Sequence, residues 1–412
     1  MSPASGSPTT ALRVRLTPAL KALVAGAAET PPYLCDPVGP TVCLGESKAS
    51  DGLAAPVVPD ASSLFGPRGA CLVAPAGPLW VSDTGHHRML GWATMPQADN
   101  TPADWVIGQP DFLHEGRNAK GHPGPARLNV PTGITACGEG LAVADAWNHR
   151  VLIWYRLPKH HNVPADLVLG QADFSGMQAN RGADVPSANS LFWCYGIHWD
   201  GARLWVADSG NRRALMWNGL PTRNGQAADL VLGQGDFTCR NENAGAAPSN
   251  FSMRWPHDIA QWRGRLCVTD AGNNRIMVWD QLPTHNGRPC DHVLGQNDGL
   301  LVDNNQSLYW PNSATLNMPY GMASVGDWLL VTDTANSRLI GWHSKDCATG
   351  AAARCLSAQA DFQSKGDNRW QMPVRDSLCW PYGARACGNT LVVSDSGNNR
   401  VLLWNLAAEL QS

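Results

Sequence analysis

The chain has 412 residues and a formal net charge of −3, with 16% charged residues, 41 Gly, 30 Pro and 18 Trp. Near-neutrality removes any global drive toward nucleic acid or an anionic membrane, and no apolar run approaches the roughly 18 residues that span a bilayer. Many turn formers combined with Trp and β-branched residues favour an all-β chain over a helical one.

Residues 1–41 read as an extended Pro/Ala/Thr-rich arm, partly disordered or holding a short helix from about Leu16 to Glu29. The apolar stretch from Ala22 to Ala28, behind Arg13, Arg15 and Lys21, is short and interrupted and lacks a cleavage site. It makes a poor secretory leader, so the expected location is cytoplasmic. The twelve Cys show no close pair and no regular spacing, and in that compartment they read as reduced, packed thiols.

From residue 42 onward the chain is periodic. LWVSDTGHHRMLGW from Leu79 recurs as LAVADAWNHRVLIW from Leu141, LWVADSGNRRALMW from Leu204, LCVTDAGNNRIMVW from Leu266, LLVTDTANSRLIGW from Leu329 and LVVSDSGNNRVLLW from Leu391. Its Asp falls at Asp83, Asp145, Asp208, Asp270, Asp333 and Asp395, in steps of 62 or 63. An Arg stands five residues after each Asp and a Trp nine residues after it. Apolar runs on either side of a D-x-G-N break read as strand, tight turn, strand, since Gly and Asn tolerate positive φ. Asp can accept the turn's amides, and Arg begins the second strand.

A second motif supplies another strand: WVIGQPDF from Trp105, LVLGQADF from Leu167, LVLGQGDF from Leu230, HVLGQNDG from His292 and CLSAQADF from Cys355. A third places a Pro ahead of five of the six main repeats, as at Pro131, Pro256, Pro319 and Pro381, with Cys194 at that position in the remaining unit, followed by a short strand. A unit of about 62 residues holding four strands is the size of one propeller blade. From the channel outward, the order is the strand after Pro, the strand ending at Asp, the strand ending at Trp, and the LGQ strand.

The sixth unit lacks its LGQ strand, and the missing copy stands at the other end, in Val42-Cys43-Leu44-Gly45-Glu46, with Glu46 in phase with Gln109. An N-terminal strand therefore completes the last blade and removes an open edge. The fold class is all-β, a single six-bladed propeller over residues 42–412.

The main segment resembles the NHL repeat, an apolar strand, Asp, a Gly-Asn turn, a basic residue and a second apolar strand. The resemblance covers nearly all of residues 64–404. His86 in place of Asn, and Trp147 and Ala335 in place of Gly, depart from it and should weaken single turns. It implies a binding scaffold or assembly factor recognising a protein or peptide.

Residues that repeat in every blade serve the fold, whereas function belongs where aligned positions differ. Just after the repeat Pro the blades offer Arg68, Thr132, Tyr195, His257, Tyr320 and Tyr382, preceded in three of them by Trp193, Trp255 and Trp380. Large side chains with hydrogen-bonding groups around one channel mouth make a recognition surface. The competing reading is that they fill the entrance.

Cys71, Cys194 and His198 form the one candidate set for a soft metal. Cys194 and His198 share a strand face by alternation, but ordinary packing ranks ahead and no cofactor is expected. Peptidyl-hydroxyglycine lyases resemble such propellers and hold zinc with a His trio, yet only His257 and the deeper His198 stand at inner positions here. Related lactonases bind calcium through several carboxylates, against which this chain offers Asp258 alone. His257 and Asp258, adjacent on a strand, should point to opposite faces.

A lyase or hydrolase using the channel is therefore the second reading. RNA binding is third, because Arg117, Lys120, Arg127, Arg181, Arg240 and Arg254 are interspersed with Glu115, Asp184, Glu242 and Asp303. A monomer is expected.

Overall fold

The computed structural model describes residues 31–45 and 57–410. They build six four-stranded antiparallel sheets whose inner strands follow one another around a ring. The inner strands are Gly69–Leu72, Pro131–Cys137, Cys194–Trp199, Pro256–Trp262, Pro319–Val325 and Pro381–Cys387. Each sheet then runs outward through the strand ending at the repeat Asp, the strand carrying the repeat Trp, and a short outer strand such as Leu167–Leu169. That is a six-bladed propeller with the strand order read from the repeats.

The repeat residues form one buried network, copied around the ring. Each Arg Nε donates to its Asp at 2.7–2.9 Å. The other Asp oxygen accepts a backbone amide from the segment entering the blade, as Asp208 does from Phe192. In five blades the Arg also donates to a carbonyl in the segment after the outer strand, as Arg213 does to Phe237 at 2.6 Å. In those blades one guanidinium thus ties the central hairpin to both of its connections.

In five blades the Trp indole N–H meets the carbonyl nine residues on, as Trp279 meets Arg288 at 3.0 Å, while the ring packs in the core. Apolar side chains gather in six clusters, each shared by two neighbouring blades; one joins Leu204 and Trp217 to Val151 and Leu169. The core is six wedges rather than one centre.

Val42–Leu44 pairs antiparallel with Arg400–Asn405, Val42 opposite Leu403 and Leu44 opposite Val401, and completes the sixth blade. Glu46, which set the phase, lies outside the described residues, as does the helix expected over Leu16 to Glu29. The chain just before the closing strand is also engaged. Leu34 and Cys35 are fully buried, the Leu34 amide donates to Leu356 at 3.1 Å, and Asp36 O accepts the Trp404 indole at 2.8 Å. Asp36 so takes the place that the residue nine after Trp holds in the other blades.

The turn expectation needs correcting. Positive φ falls four residues after the Asp, on His87, His149, Arg212, Asn274, Ser337 and Asn399, and not on the turn Gly. Trp147 and Ala335 therefore carry no strain from lacking Gly. His86 replaces the Asn and keeps its bond, with Nδ1 2.8 Å from Asp83.

A further periodic residue went unread in the sequence. Asn118, Asn180, Asn243, Asn305 and Asn368 are buried and left-handed, and each accepts a hydrogen bond from the turn Asn of its blade, as Asn118 does from Asn148 at 2.8 Å. Their spacing of 62 or 63 was the available signal.

Topology gives the propeller two unlike faces. Each chain segment enters the inner strand at the channel mouth and returns to that side at the repeat Asp. The turn after Asp and the long segments between blades share this mouth face. The remaining two hairpins of every blade lie on the opposite face.

Candidate functional site

Five of the six residues after the repeat Pro converge into one stacked cluster at the channel mouth. The Tyr195 ring lies 4.5 Å from His257, His257 4.0 Å from Tyr320, and Tyr320 4.5 Å from Tyr382, centroid to centroid. The Arg68 guanidinium sits 4.5 Å over the Tyr382 ring, a cation–π contact. Thr132, the sixth, turns its hydroxyl to Tyr195 O at 2.9 Å and ties two inner strands together.

This cluster fills the entrance more than it presents a surface. His257 and Tyr320 keep only 5% and 4% of their area exposed. The space left among the rings and the strands below is about 30 Å³, roughly one or two waters. Trp193, Trp255 and Trp380 stand outside it, exposed by 39%, 36% and 37%. The eight residues expected to bind thus divide into a packed floor and an indole rim.

Beneath the rings, alternation fails. The inner strands of blades two to six each carry a register irregularity directly after the first residue. A bulge of this kind turns side chains out of strict alternation. His257 and Asp258, expected on opposite faces, both line the channel cavity. Cys194 and His198, expected on one face, separate: Cys194 is fully buried with its thiol on Arg150 O at 3.2 Å, in the core between blades two and three. Burial pushes the Cys71 thiol up to about 11 and Cys194 well above the thiol range. Among the described residues no three His, Cys, Asp or Glu gather as metal ligands.

The channel is crossed instead by an ion pair. Arg385 of blade six donates to both carboxylate oxygens of Asp258 in blade four, at 2.6 and 2.7 Å. The same guanidinium reaches Met322 O of blade five at 2.8 Å and Ile197 O of blade three at 3.3 Å. Asp258 also accepts the amides of Met322 and Ile259, each at 2.9 Å. Every other blade has Gly where Asp258 stands, because neighbouring inner strands approach so closely that a Cβ on Gly196 would lie 2.4 Å from His257 O. Asp258 replaces that close approach with a carboxylate bridging the strands. Its signal was in the sequence: the single acid and single base that break the six-fold pattern at inner-strand positions.

Burial holds three imidazoles neutral. His257 falls to about 3, through desolvation and then the Arg68 charge; His198 falls to about 4, through desolvation and then Arg385; His149 falls to about 4 through desolvation. The unfolded chain protonates such His near 6.5 whereas the folded chain refuses the proton. The stability they contribute is therefore complete above about pH 6.5 and is lost as pH falls toward 4. Melting temperature measured from pH 7.5 to 4.5 should fall, and His257→Gln should flatten the fall. A profile unchanged by that variant would refute the assignment.

With this geometry in view, the match to known proteins is specific. Residues 253–279, the first three strands of blade four, match the family model of the NHL repeat. The chain carries an NHL repeat within a six-bladed propeller. The comparison with curated proteins finds no match. Among solved structures, the chain is similar to a structural-genomics protein of unknown function from Bacteroides thetaiotaomicron, with 12% identity, 84% of this chain and 70% of that one covered, and a TM-score of 0.48. It is also similar to hydrazine synthase of Kuenenia stuttgartiensis, at 11% identity, 88% and 99% coverage and 0.47, and to virginiamycin B lyase of Staphylococcus aureus, at 12%, 83% and 96%, and 0.38. Such values say nothing about chemistry. Among the described residues, no helix is long and apolar enough to cross a membrane.

Proposed function

We propose that the propeller is a binding scaffold whose mouth face docks a protein or peptide partner. One observation carries the reading. Among the described residues, the exposed large apolar side chains from Val58 to Trp380 all lie on segments of the mouth face, and only Tyr33 and Val38, in the chain leading to the closing strand, stand exposed on the other side. Single exposed apolar residues are ordinary, but their segregation to one side marks a surface that is covered in use. Indoles with area to bury and an N–H to donate dominate such interfaces. Trp193, Trp255 and Trp380 ring a floor that the stacked cluster holds rigid, so little order is lost when a partner binds.

The test is retention of partners from native extract by immobilised protein at matched folded concentration. Trp193→Ala, Trp255→Ala and Trp380→Ala should each weaken retention by roughly 1–3 kcal/mol, with melting unchanged. Charge reversal of Arg156 and Lys159, exposed on the opposite face, should leave it intact. If the reversals abolish retention and the Trp variants do not, the wrong face has been chosen. Tyr320→Ala is unsuitable as a probe, because Tyr320 is buried and its loss opens a cavity.

A further inference from the structure

The mouth face departs most from six-fold symmetry at one place, the cleft between the segments entering blades five and six. Tyr309, Trp310 and Trp370 stand there, where the corresponding segment into blade two has Gly121, His122 and Lys120 and the others have no aromatic residue. The cleft holds about 510 Å³, within the range of specific ligand sites. Trp310 and Tyr309 meet edge to face, with ring centroids 4.8 Å apart at 85°. The Lys365 ammonium lies 4.1 Å over the Tyr309 ring and donates to Tyr309 O, fixing the pair to the opposite wall. On that wall Trp370 is 70% exposed yet held in place. Its ring lies flat on Gly366, at φ +112°, where any side chain would strike it at 2.1 Å. The cleft is preformed.

Its polar groups are unevenly free. Both Asp376 oxygens take the Arg369 guanidinium, at 2.7 and 3.1 Å, and Asp361 Oδ1 takes the Gln363 amide and the Ser364 hydroxyl. Three of these four carboxylate oxygens are thus occupied, and the cations Lys365 and Arg369 are engaged. The two indole N–H groups have no protein acceptor among the described residues. A fitting ligand is uncharged, offers flat apolar rings to indole faces, brings acceptors and needs few in return. A proline-rich segment has that composition: its residues lack N–H, and in the polyproline II conformation its carbonyls point free. Crossed aromatic rings with indole donors suit that helix.

We infer that the Trp310–Trp370 cleft is a recognition site for a proline-rich segment in polyproline II conformation. The inference rests on reading the mouth face as the docking surface, and it states the chemistry of part of what docks there. Titration of the full chain with decaproline, followed by indole fluorescence and calorimetry, tests it. Saturable binding is expected, weakened about tenfold or more in Trp310→Ala and in Trp370→Ala, the scale of a lost hot-spot aromatic. Trp193→Ala should leave it unchanged. Gly366→Ala, which displaces the Trp370 ring without removing it, should weaken binding while Trp370→Phe retains part of it. No saturation by decaproline, saturation indifferent to both Trp variants, or saturation by cellohexaose in its place overturns the inference. The broader docking reading fails separately, in loss of partner retention on the opposite face.

Discussion

Deletion of residues 1–45 should abolish cooperative folding of the propeller, whereas deletion of residues 1–30 should leave the melting temperature unchanged. The short deletion removes only an arm whose sequence predicts no strand. The longer one removes Val42–Leu44 and exposes the hydrogen-bonding edge of Arg400–Asn405. It also strips Leu34, Val42 and Leu44 from the cores between blades five, six and one. At roughly 1.5–3 kcal/mol for each buried side chain, their loss comes to about 5–9 kcal/mol, which rivals the whole stability of an ordinary domain. The Trp404 indole loses its acceptor, Asp36 O, as well. The truncated chain should appear in size-exclusion chromatography as aggregate or as an open-edged oligomer. A monomer that melts at the full-length temperature would disprove closure.

The second large effect lies at the axis. Arg385→Met should destabilise the fold by about 3–5 kcal/mol, the loss expected when one partner of a buried ion pair is removed and the other stays. Asp258 then remains a carboxylate with 6% exposure, neutralised only by two amides. Because Arg385 keeps 21% of its own area exposed, Asp258→Asn should cost less than Arg385→Met. The double variant Asp258→Asn/Arg385→Met should recover much of the loss, since neither charge is then left alone. Thermal or denaturant unfolding of the four proteins closes the cycle. Simple additivity of the two single losses would show that the pair does not act as a latch across blades three to six.

These two effects were unequally legible in the sequence. Closure could be read because each blade is a local unit repeated every 62 or 63 residues, so a missing strand at one end and a spare at the other declare themselves by phase. The Asp, Arg and Trp series were legible for the same reason: each makes its contacts within its own unit, five or nine residues away. Asp258 and Arg385 are 127 residues and two blades apart, and no period connects them. Only closing the ring brings their inner strands to a common axis. The same closure packs His257 and Tyr320 into a floor that the residue pattern alone offered equally as a surface. Local backbone geometry decided the rest. The bulge after the repeat Pro sent Cys194 into a core and His257 with Asp258 into one cavity, against the alternation that a regular strand obeys. Sequence by itself determined the blade, its count and its closure, because the blade is set by contacts near in the chain and closure by the phase of the repeat. The tertiary structure decided what lies at the axis and which aromatics stay exposed, because those depend on where six separate segments meet.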